Sequence, residues 1–246
     1  MTIRFTFFTL ALLLVVPQVC CGQTGKDTQL WQWTAQAPHH ESIVQINCNG
    51  GTGTGIIVDV DKSEKISGGY KGHCLTAYHV VQEDNKKGEI AVVFRNGRKA
   101  KNCRVVEFDE AADVAVLWIW IPEGLEAAKI ATTPVQKGDL LEFAGLGGGS
   151  DLSCCLRHFA ATASTPSSQQ KIFSDVPLLP GDSGGPVFNQ NKEVVGIISG
   201  GWFWWDGGVK TSSGTSLNAT WPARAANVDP IQTLFGKVNS NATVVR

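Results

Sequence analysis

A chain of 246 residues with 43% apolar content and a formal net charge of −1 is long enough for one or two packed units. It carries neither the basic excess of a nucleic-acid binder nor the charge of a solvated tail, so no nucleic-acid partner is expected. With 27 glycines, abundant Ser and Thr, little sustained helical periodicity and short Val/Ile/Leu/Phe runs between turn signals, the composition points to an all-β chain. No self-similar period suggests a solenoid or propeller.

Residues 1–22 read as a signal peptide. Arg4 gives a positive start, Phe5 to Val16 form an apolar run, Pro17 breaks it, and Cys20-Cys21-Gly22 offers small residues for cleavage. The run falls short of the ~20 residues of a spanning helix, so export without a permanent membrane anchor is the expectation, to a secreted or periplasmic location. A lipid on Cys20 or Cys21 is the competing reading, although Pro17-Gln18-Val19 departs from the Leu-small-small pattern that precedes such a cysteine. Residues 23–41 form a polar lead-in with Trp31, Trp33, Pro38 and the pair His39-His40. Adjacent histidines with no Cys-x-x-Cys or His-x-x-x-His partner read as surface residues, and neither a metal nor a cofactor is expected.

Strand signals follow. Ser42 to Asn47 alternates apolar and polar residues, Asn49-Gly50-Gly51 is a turn, and Gly53 to Val58 is the return strand of a hairpin. After a polar loop over Asp61 to Gly72, Cys74 to Val81 reads as a third strand with His79 near its end. Val92, Val105 and Val116 mark three more strands. Pro122 to Pro134 is a connecting stretch, and the second half carries strand signals at Leu140 to Phe143, Leu156 to Ala161, Lys171 to Phe173, Val187-Phe188 and Val194 to Ile198. Val228 to Phe235 reads as a short closing helix.

Function is most legible in Pro180-Gly181-Asp182-Ser183-Gly184-Gly185-Pro186-Val187. A serine among glycines, just ahead of an apolar strand, sits where the backbone turns sharply and its N–H groups are free to point at a ligand. One loop then offers both an attacking hydroxyl and an oxyanion hole. A hydroxyl does not attack an amide near neutral pH unless a base accepts its proton, and imidazole is the best acceptor available. Of the five histidines, His79 alone lies in a small-residue context at a strand end; His39, His40, His73 and His158 lie elsewhere. The imidazole in turn needs an acid to fix its tautomer. Asp113, at the mouth of Val114-Ala115-Val116-Leu117, is the candidate, with Asp109 as its rival.

These pieces, Thr54-Gly55 with Ile56-Ile57-Val58, Leu75-Thr76-Ala77-Tyr78-His79-Val80, Asp113 to Leu117 and Gly181 to Val187, together resemble the trypsin-like serine peptidases, and within them the bacterial HtrA-like branch. The resemblance covers about residues 42–235, in the family's His, Asp, Ser order. It implies two six-stranded antiparallel β-barrels with the site in the cleft between them: a first barrel over 42–121, a linker over 122–136, and a second barrel with the closing helix over 137–246. It leaves no room for an appended peptide-binding domain. It implies His79 as general base and acid, Asp113 as its orienter, Ser183 as nucleophile, and the backbone N–H groups of Gly181 and Ser183 as oxyanion donors.

The same resemblance makes Ser199, Gly200 and Gly201 the strand along which substrate backbone would add. Pro177 stands where members that cut after Arg or Lys carry an acid. Leu178, Leu179 and the Trp202-Phe203-Trp204-Trp205 cluster suggest apolar walls, and a small or apolar side chain before the scissile bond. The partners implied are protein or peptide substrates; the alternative is a catalytically inactive relative that holds an extended peptide. No Ile-Val-Gly-Gly stretch exists to pair with Asp182, so activation by a released N-terminus is not expected. Cys48, Cys74, Cys103, Cys154 and Cys155 remain after signal removal, and in an oxidising compartment disulfide bonds among them are expected, with connectivity open. Asn218 and Asn241 each begin an Asn-Ala-Thr acceptor triplet.

Overall fold

The structure, a computed structural model, describes residues 37–49, 51–84, 89–147, 156–168, 171–174, 176, 178–210 and 216–244. The expected signal peptide, most of the lead-in, Cys154, Cys155 and Pro177 lie outside the described residues, as do the side chains of the Trp202–Trp205 cluster.

After a single 3-10 turn at Pro38–His40 the chain builds six strands: β1 (Ile43–Cys48), β2 (Gly51–Ile66), β3 (Gly69–Thr76), β4 (Ile90–Val93), β5 (Lys99–Asp109) and β6 (Val114–Pro122). They close into a barrel in the order β1-β2-β3-β6-β5-β4, every pair antiparallel. A second closed barrel, also antiparallel, is ordered β10-β11-β12-β9-β8-β7. Its strands are β7 (Leu140–Gly145), β8 (Arg157–Ser168), β9 (Lys171–Ser174), β10 (Pro186–Phe188), β11 (Val194–Lys210) and β12 (Ser216–Asn227). Among the described residues two α-helices accompany the strands, the one-turn α1 (Tyr78–Val81) and the closing α2 (Val228–Val244). The protein is thus mostly β, a double barrel with a C-terminal helix.

Period-two alternation decides what each strand buries. In the first barrel Val44, Ile46, Ile57, Ala115 and Leu117 point inward. Their neighbours Ile43, Ile56, Val114 and Val116 point outward, toward the second barrel. There they meet Ala144, Phe188, Val194, Ile197 and Ala226, with Ile231 and Leu234 of α2 on the same cluster. Leu141, Phe143, Val187, Ala223 and Ala225 fill the second barrel. Strands with both faces apolar therefore mark where the barrels touch. The connecting stretch is tied down as well: Ala128 N–H donates to Ile57 O at 2.8 Å, and Ala131 N–H to Val194 O at 2.9 Å.

Four local expectations are corrected. The polar stretch from Asp61 is not a loop but an extension of the β2–β3 ribbon, with Asp61 opposite Lys71 and Ile66 opposite Gly69. The third strand stops at Thr76, and His79 sits on α1 rather than at a strand end. A sixth strand of the second barrel, β12, is added to the five that the sequence marked. Helix α2 runs to Val244 instead of ending near Phe235. None of Cys48, Cys74 and Cys103 is bridged in this structure, where all three are free thiols.

Candidate active site

Two parts of the expected site lie by the ends of β2 and β3: the His79–Asp113 pair, joined at 2.8 Å, and the Ser183 loop before β10, held by Thr54 N–H at 2.8 Å. Among the described residues no hydrogen bond joins Ser183 Oγ to His79. Asp113 occupies the turn into β6, with a φ of 61°, a left-handed conformation that aspartate tolerates better than most residues. From there its carboxylate grips the first turn of α1. Oδ1 accepts His79 N–H at 2.9 Å, Oδ2 lies 2.8 Å from His79 Nδ1, and Tyr78 N–H donates to the Asp113 carbonyl at 3.3 Å. The imidazole is 45% exposed and the carboxylate 15%. The rival, Asp109, caps the turn instead, accepting Ala112 N–H at 2.9 Å. Burial pushes the Asp113 pKa up, but the hydrogen bond and charge of His79, with a further hydrogen bond from Ser199 and the His79 N–H, together hold it below its ordinary value.

Ser199 contributes more than backbone. A register shift between Ile198 and Gly200 leaves it as the extra residue of a bulge in β11, and a bulge re-aims a side chain. Its hydroxyl lies 2.5 Å from Asp113 Oδ2 and accepts from Arg224 Nη2 at 3.1 Å. Neither contact has a local sign in the residue pattern.

Thr54, on β2, anchors the serine loop across the barrel boundary. Its N–H donates to Ser183 O at 2.8 Å, its hydroxyl donates to Gly181 O at 2.7 Å and accepts Leu146 N–H at 3.0 Å, and its carbonyl accepts the Thr76 hydroxyl at 2.8 Å. The buried Asp182 carboxylate accepts Gly147 N–H at 2.7 Å and Leu179 N–H at 2.8 Å, so backbone donors of its own barrel hold it. Two glycines set the closeness. A Cβ on Gly184 (φ 86°) would come 2.0 Å from Thr54 O and 3.0 Å from Ala77 N. A Cβ on Gly53 would come 2.6 Å from Val80 Cγ1 and 3.1 Å from Ser183 O. Ser183 is thereby seated against the turn that carries His79.

Within the loop, Asp182 N–H donates to Leu179 O and Gly184 N–H to Ile198 O. The N–H groups of Gly181 (φ 99°) and Ser183 donate to no acceptor among the described residues. Gly200 and Gly201 pair with Arg224 and Ala223 of β12, and among the described residues no strand pairs with Ser199 to Gly201 on the other side. Leu178 is 2% exposed and packs inside the second barrel. Beside His79, the rings of Tyr78 and Phe108 stack with centroids 4.3 Å apart, and Phe108 is 42% exposed.

Burial raises the thiols of Cys48 and Cys103 to about 12 and about 11, and pushes Cys74 up as well. They stay protonated near neutral pH and are poor nucleophiles.

A second cluster holds the end of the lead-in, at His39 and His40. His39 Nε2 lies 3.0 Å from Glu142 Oε2, His40 Nε2 lies 2.6 Å from Oε1, and Lys192 Nζ lies 3.1 Å from Oε2. Both rings pack on Phe188. The two histidines are therefore not the surface residues the sequence suggested; His40 is 2% exposed. The donor atoms of His39, His40 and Glu142 all lie within 4.8 Å of one another, a set able to hold a divalent cation. Ala37 N–H, however, donates to His40 Nδ1 at 3.4 Å. That assigns the ring proton to Nε2, where it donates to Glu142, and the group reads as a hydrogen-bonded clasp.

Comparison with known proteins gives the chain its relatives. Residues 53–197 match the model of the trypsin-like peptidase domain. The chain is 33% identical over 157 residues to HhoA of Synechocystis sp., covering 60% of this chain and 36% of that protein. It is 29% identical over 150 residues to the periplasmic serine endoprotease DegP of Escherichia coli K12, covering 59% and 29%. It thus spans about a third of the length of these curated relatives. Among solved structures, a serine-to-alanine mutant of Rv3671c from M. tuberculosis H37Rv, in an inactive form, shares the fold with a TM-score of 0.57 at 18% identity, over 82% of this chain and 88% of that one. With more than half of its length matched by the family model, the chain belongs to the trypsin-like peptidase domain family.

Proposed function

We propose that this protein is an exported serine endopeptidase that cleaves peptide bonds through an acyl-enzyme on Ser183. The observation that carries the reading is the double grip of the Asp113 carboxylate on His79, at N and Nδ1, on the same turn against which Gly53 and Gly184 seat the Ser183 loop. A carboxylate on Nδ1–H leaves Nε2 as the basic nitrogen. Ser183 Oγ attacks the substrate carbonyl carbon and its proton passes to His79. The oxyanion formed is met by the N–H groups of Gly181 and Ser183. Collapse breaks the C–N bond, and the departing amine takes the proton from His79. Water then attacks the ester, gives a proton to His79, and releases the acid as Ser183 regains its hydrogen.

Substrate backbone is read as adding along the free side of Ser199 to Gly201, with the exposed Phe108 ring, stacked on the half-buried Tyr78, as an apolar shelf beside His79. Export rests on Arg4 and the Phe5 to Val16 run, and DegP, a relative, is periplasmic.

A serine-directed phosphonylating reagent tests the reading. Stoichiometric labelling of folded protein, mapped by mass spectrometry to Ser183 and absent from Ser183→Ala, is the expected result. No labelling of folded wild type would favour the inactive peptide-holding relative.

Thr54→Val is a more local test. The substitution keeps the shape but removes the donor to Gly181 O and the acceptor of Leu146 N–H, so the loss of buried hydrogen bonds should cost about 1–3 kcal/mol. Because Gly181 supplies one of the proposed oxyanion donors, kcat should fall by roughly tenfold or more with KM little changed. Thermal denaturation and steady-state kinetics read the two effects, and a variant with wild-type kcat would remove Thr54 from the oxyanion argument.

A further inference from the structure

Arg224 is an unusual occupant of its strand. On β12 it is flanked by Ala223, Ala225 and Ala226, and it lies opposite Gly200. Ala223 and Ala225 face the interior of the second barrel. Alternation therefore turns Arg224 to the opposite face, the face on which Ala226 meets the first barrel. There the half-buried guanidinium donates from Nη2 to Ser199 Oγ at 3.1 Å, and Ser199 Oγ lies 2.5 Å from Asp113 Oδ2. Asp113 Oδ2 lies 2.8 Å from His79 Nδ1.

A hydroxyl has one proton to give and two lone pairs to receive with. Once the guanidinium, which only donates and does not deprotonate, takes one lone pair, the serine proton is directed to the carboxylate. Without it, the hydroxyl rotates among other acceptors. The same cation sits two hydrogen bonds behind the imidazole and opposes a second positive charge there.

We propose that Arg224 is a positioning residue of this site, fixing the Ser199 proton on Asp113 and setting the pH range over which the His79–Asp113 pair works as a base. The proposal rests on the triad reading above. Among the described residues, the ionisable side chain tied to the pair is Arg224 from β12, acting through Ser199 of β11; the nearby Asp109, at the end of β5, is held by Ala112 N–H, and Tyr78 on α1 stacks on Phe108.

The test compares Arg224→Gln, which keeps a donor and loses the charge, with Arg224→Lys, which keeps the charge and loses the fork. Both are measured as full pH profiles of kcat and kcat/KM on a peptide substrate, after phosphonate titration of active sites and a melting curve. For Arg224→Gln, kcat should fall roughly tenfold to a hundredfold with KM nearly unchanged. Loss of the cation makes protonation of the pair easier, so the acid limb of kcat/KM should move to higher pH, by about half a unit to one unit. Arg224→Lys should keep the limb in place and recover part of kcat. Added to Ser199→Ala, Arg224→Gln should cost little more than Ser199→Ala alone, since both act through one hydroxyl.

A wild type that takes the label on Ser183, beside an Arg224→Gln variant with wild-type kcat and limb, overturns this proposal and leaves the triad standing. A wild type that takes no Ser183-dependent label overturns both. If Arg224→Gln does not fold, Arg224→Lys decides: lowered kcat with an unmoved limb supports the proposal, and unchanged kcat overturns it.

Discussion

Replacing Ser183 by alanine is expected to lower turnover of a peptide substrate by a factor on the order of 10⁴ to 10⁶, and His79→Ala by a similar factor. The two should not add. A nucleophile without its base and a base without its nucleophile are stalled at the same step, so Ser183→Ala/His79→Ala should be about as slow as either variant alone. What remains would come from the two N–H groups of the serine loop and from substrate held along β11, neither of which the substitutions touch. Neither side chain is needed for packing: His79 is 45% exposed, and the Ser183 loop is held through main-chain atoms by Thr54 and Ile198. Ser183→Ala should therefore melt close to wild type, while His79→Ala should lose a little, the hydrogen bond that the ring gives Asp113. Burst kinetics with an activated ester check the same point, since the acyl-enzyme burst should vanish in Ser183→Ala. A loss of less than tenfold in either single variant would mean that the chemistry lies elsewhere.

The first barrel was legible in the sequence because each of its six strands carries an apolar residue on both faces or in clean alternation, as Ile56-Ile57 and Val114 to Leu117 do. The second barrel was legible only in part. The second half of strand β12 buries Ala223, Ala225 and Ala226, small side chains that follow Pro222 and carry a weak strand signal. The far end of the β2–β3 ribbon, Asp61 to Ile66, is largely exposed and so has no hydrophobic period. Tyr78-His79-Val80-Val81 has strand propensity, but the grip of Asp113 on the amides of Tyr78 and His79 turns it into a helical turn, a tertiary override of a local preference.

The candidate site divides along the same line. His79, Asp113 and the serine loop stood out because glycines and strand boundaries surround them. Asp109 and Asp113 were not separable in sequence; the structure separates them by giving Asp109 a turn to cap. Ser199 touches Asp113 and Arg224 touches Ser199 through side chains aimed by a bulge and by a strand face, and His39 and His40 find their carboxylate about a hundred residues away at Glu142. Contacts of that range leave no trace in local spacing.

Asp113→Asn is the substitution that should divide activity from folding most cleanly. The carboxylate accepts three donors, His79 N–H, His79 Nδ1–H and the Ser199 hydroxyl, whereas an amide has one oxygen for them and offers two hydrogens of its own. If the amide nitrogen faces His79 Nδ1, the ring adopts the other tautomer and presents a proton, not a lone pair, toward the nucleophile. Turnover should then fall on the order of 10³- to 10⁴-fold. Shape is kept, and asparagine tolerates the left-handed backbone at this position, so the variant should fold. Acid titration supplies the second readout. The folded pKa of Asp113 is held below its ordinary 3.8, so its contribution to stability is complete above that value and is lost as pH falls through the folded pKa. Wild type should therefore lose melting temperature below about pH 4 more steeply than Asp113→Asn, which has no proton to take up there. Equal acid slopes would mean that the carboxylate is not held in the ionised, hydrogen-bonded state from which the base is oriented. A variant that kept more than a tenth of wild-type turnover would remove Asp113 from the mechanism altogether.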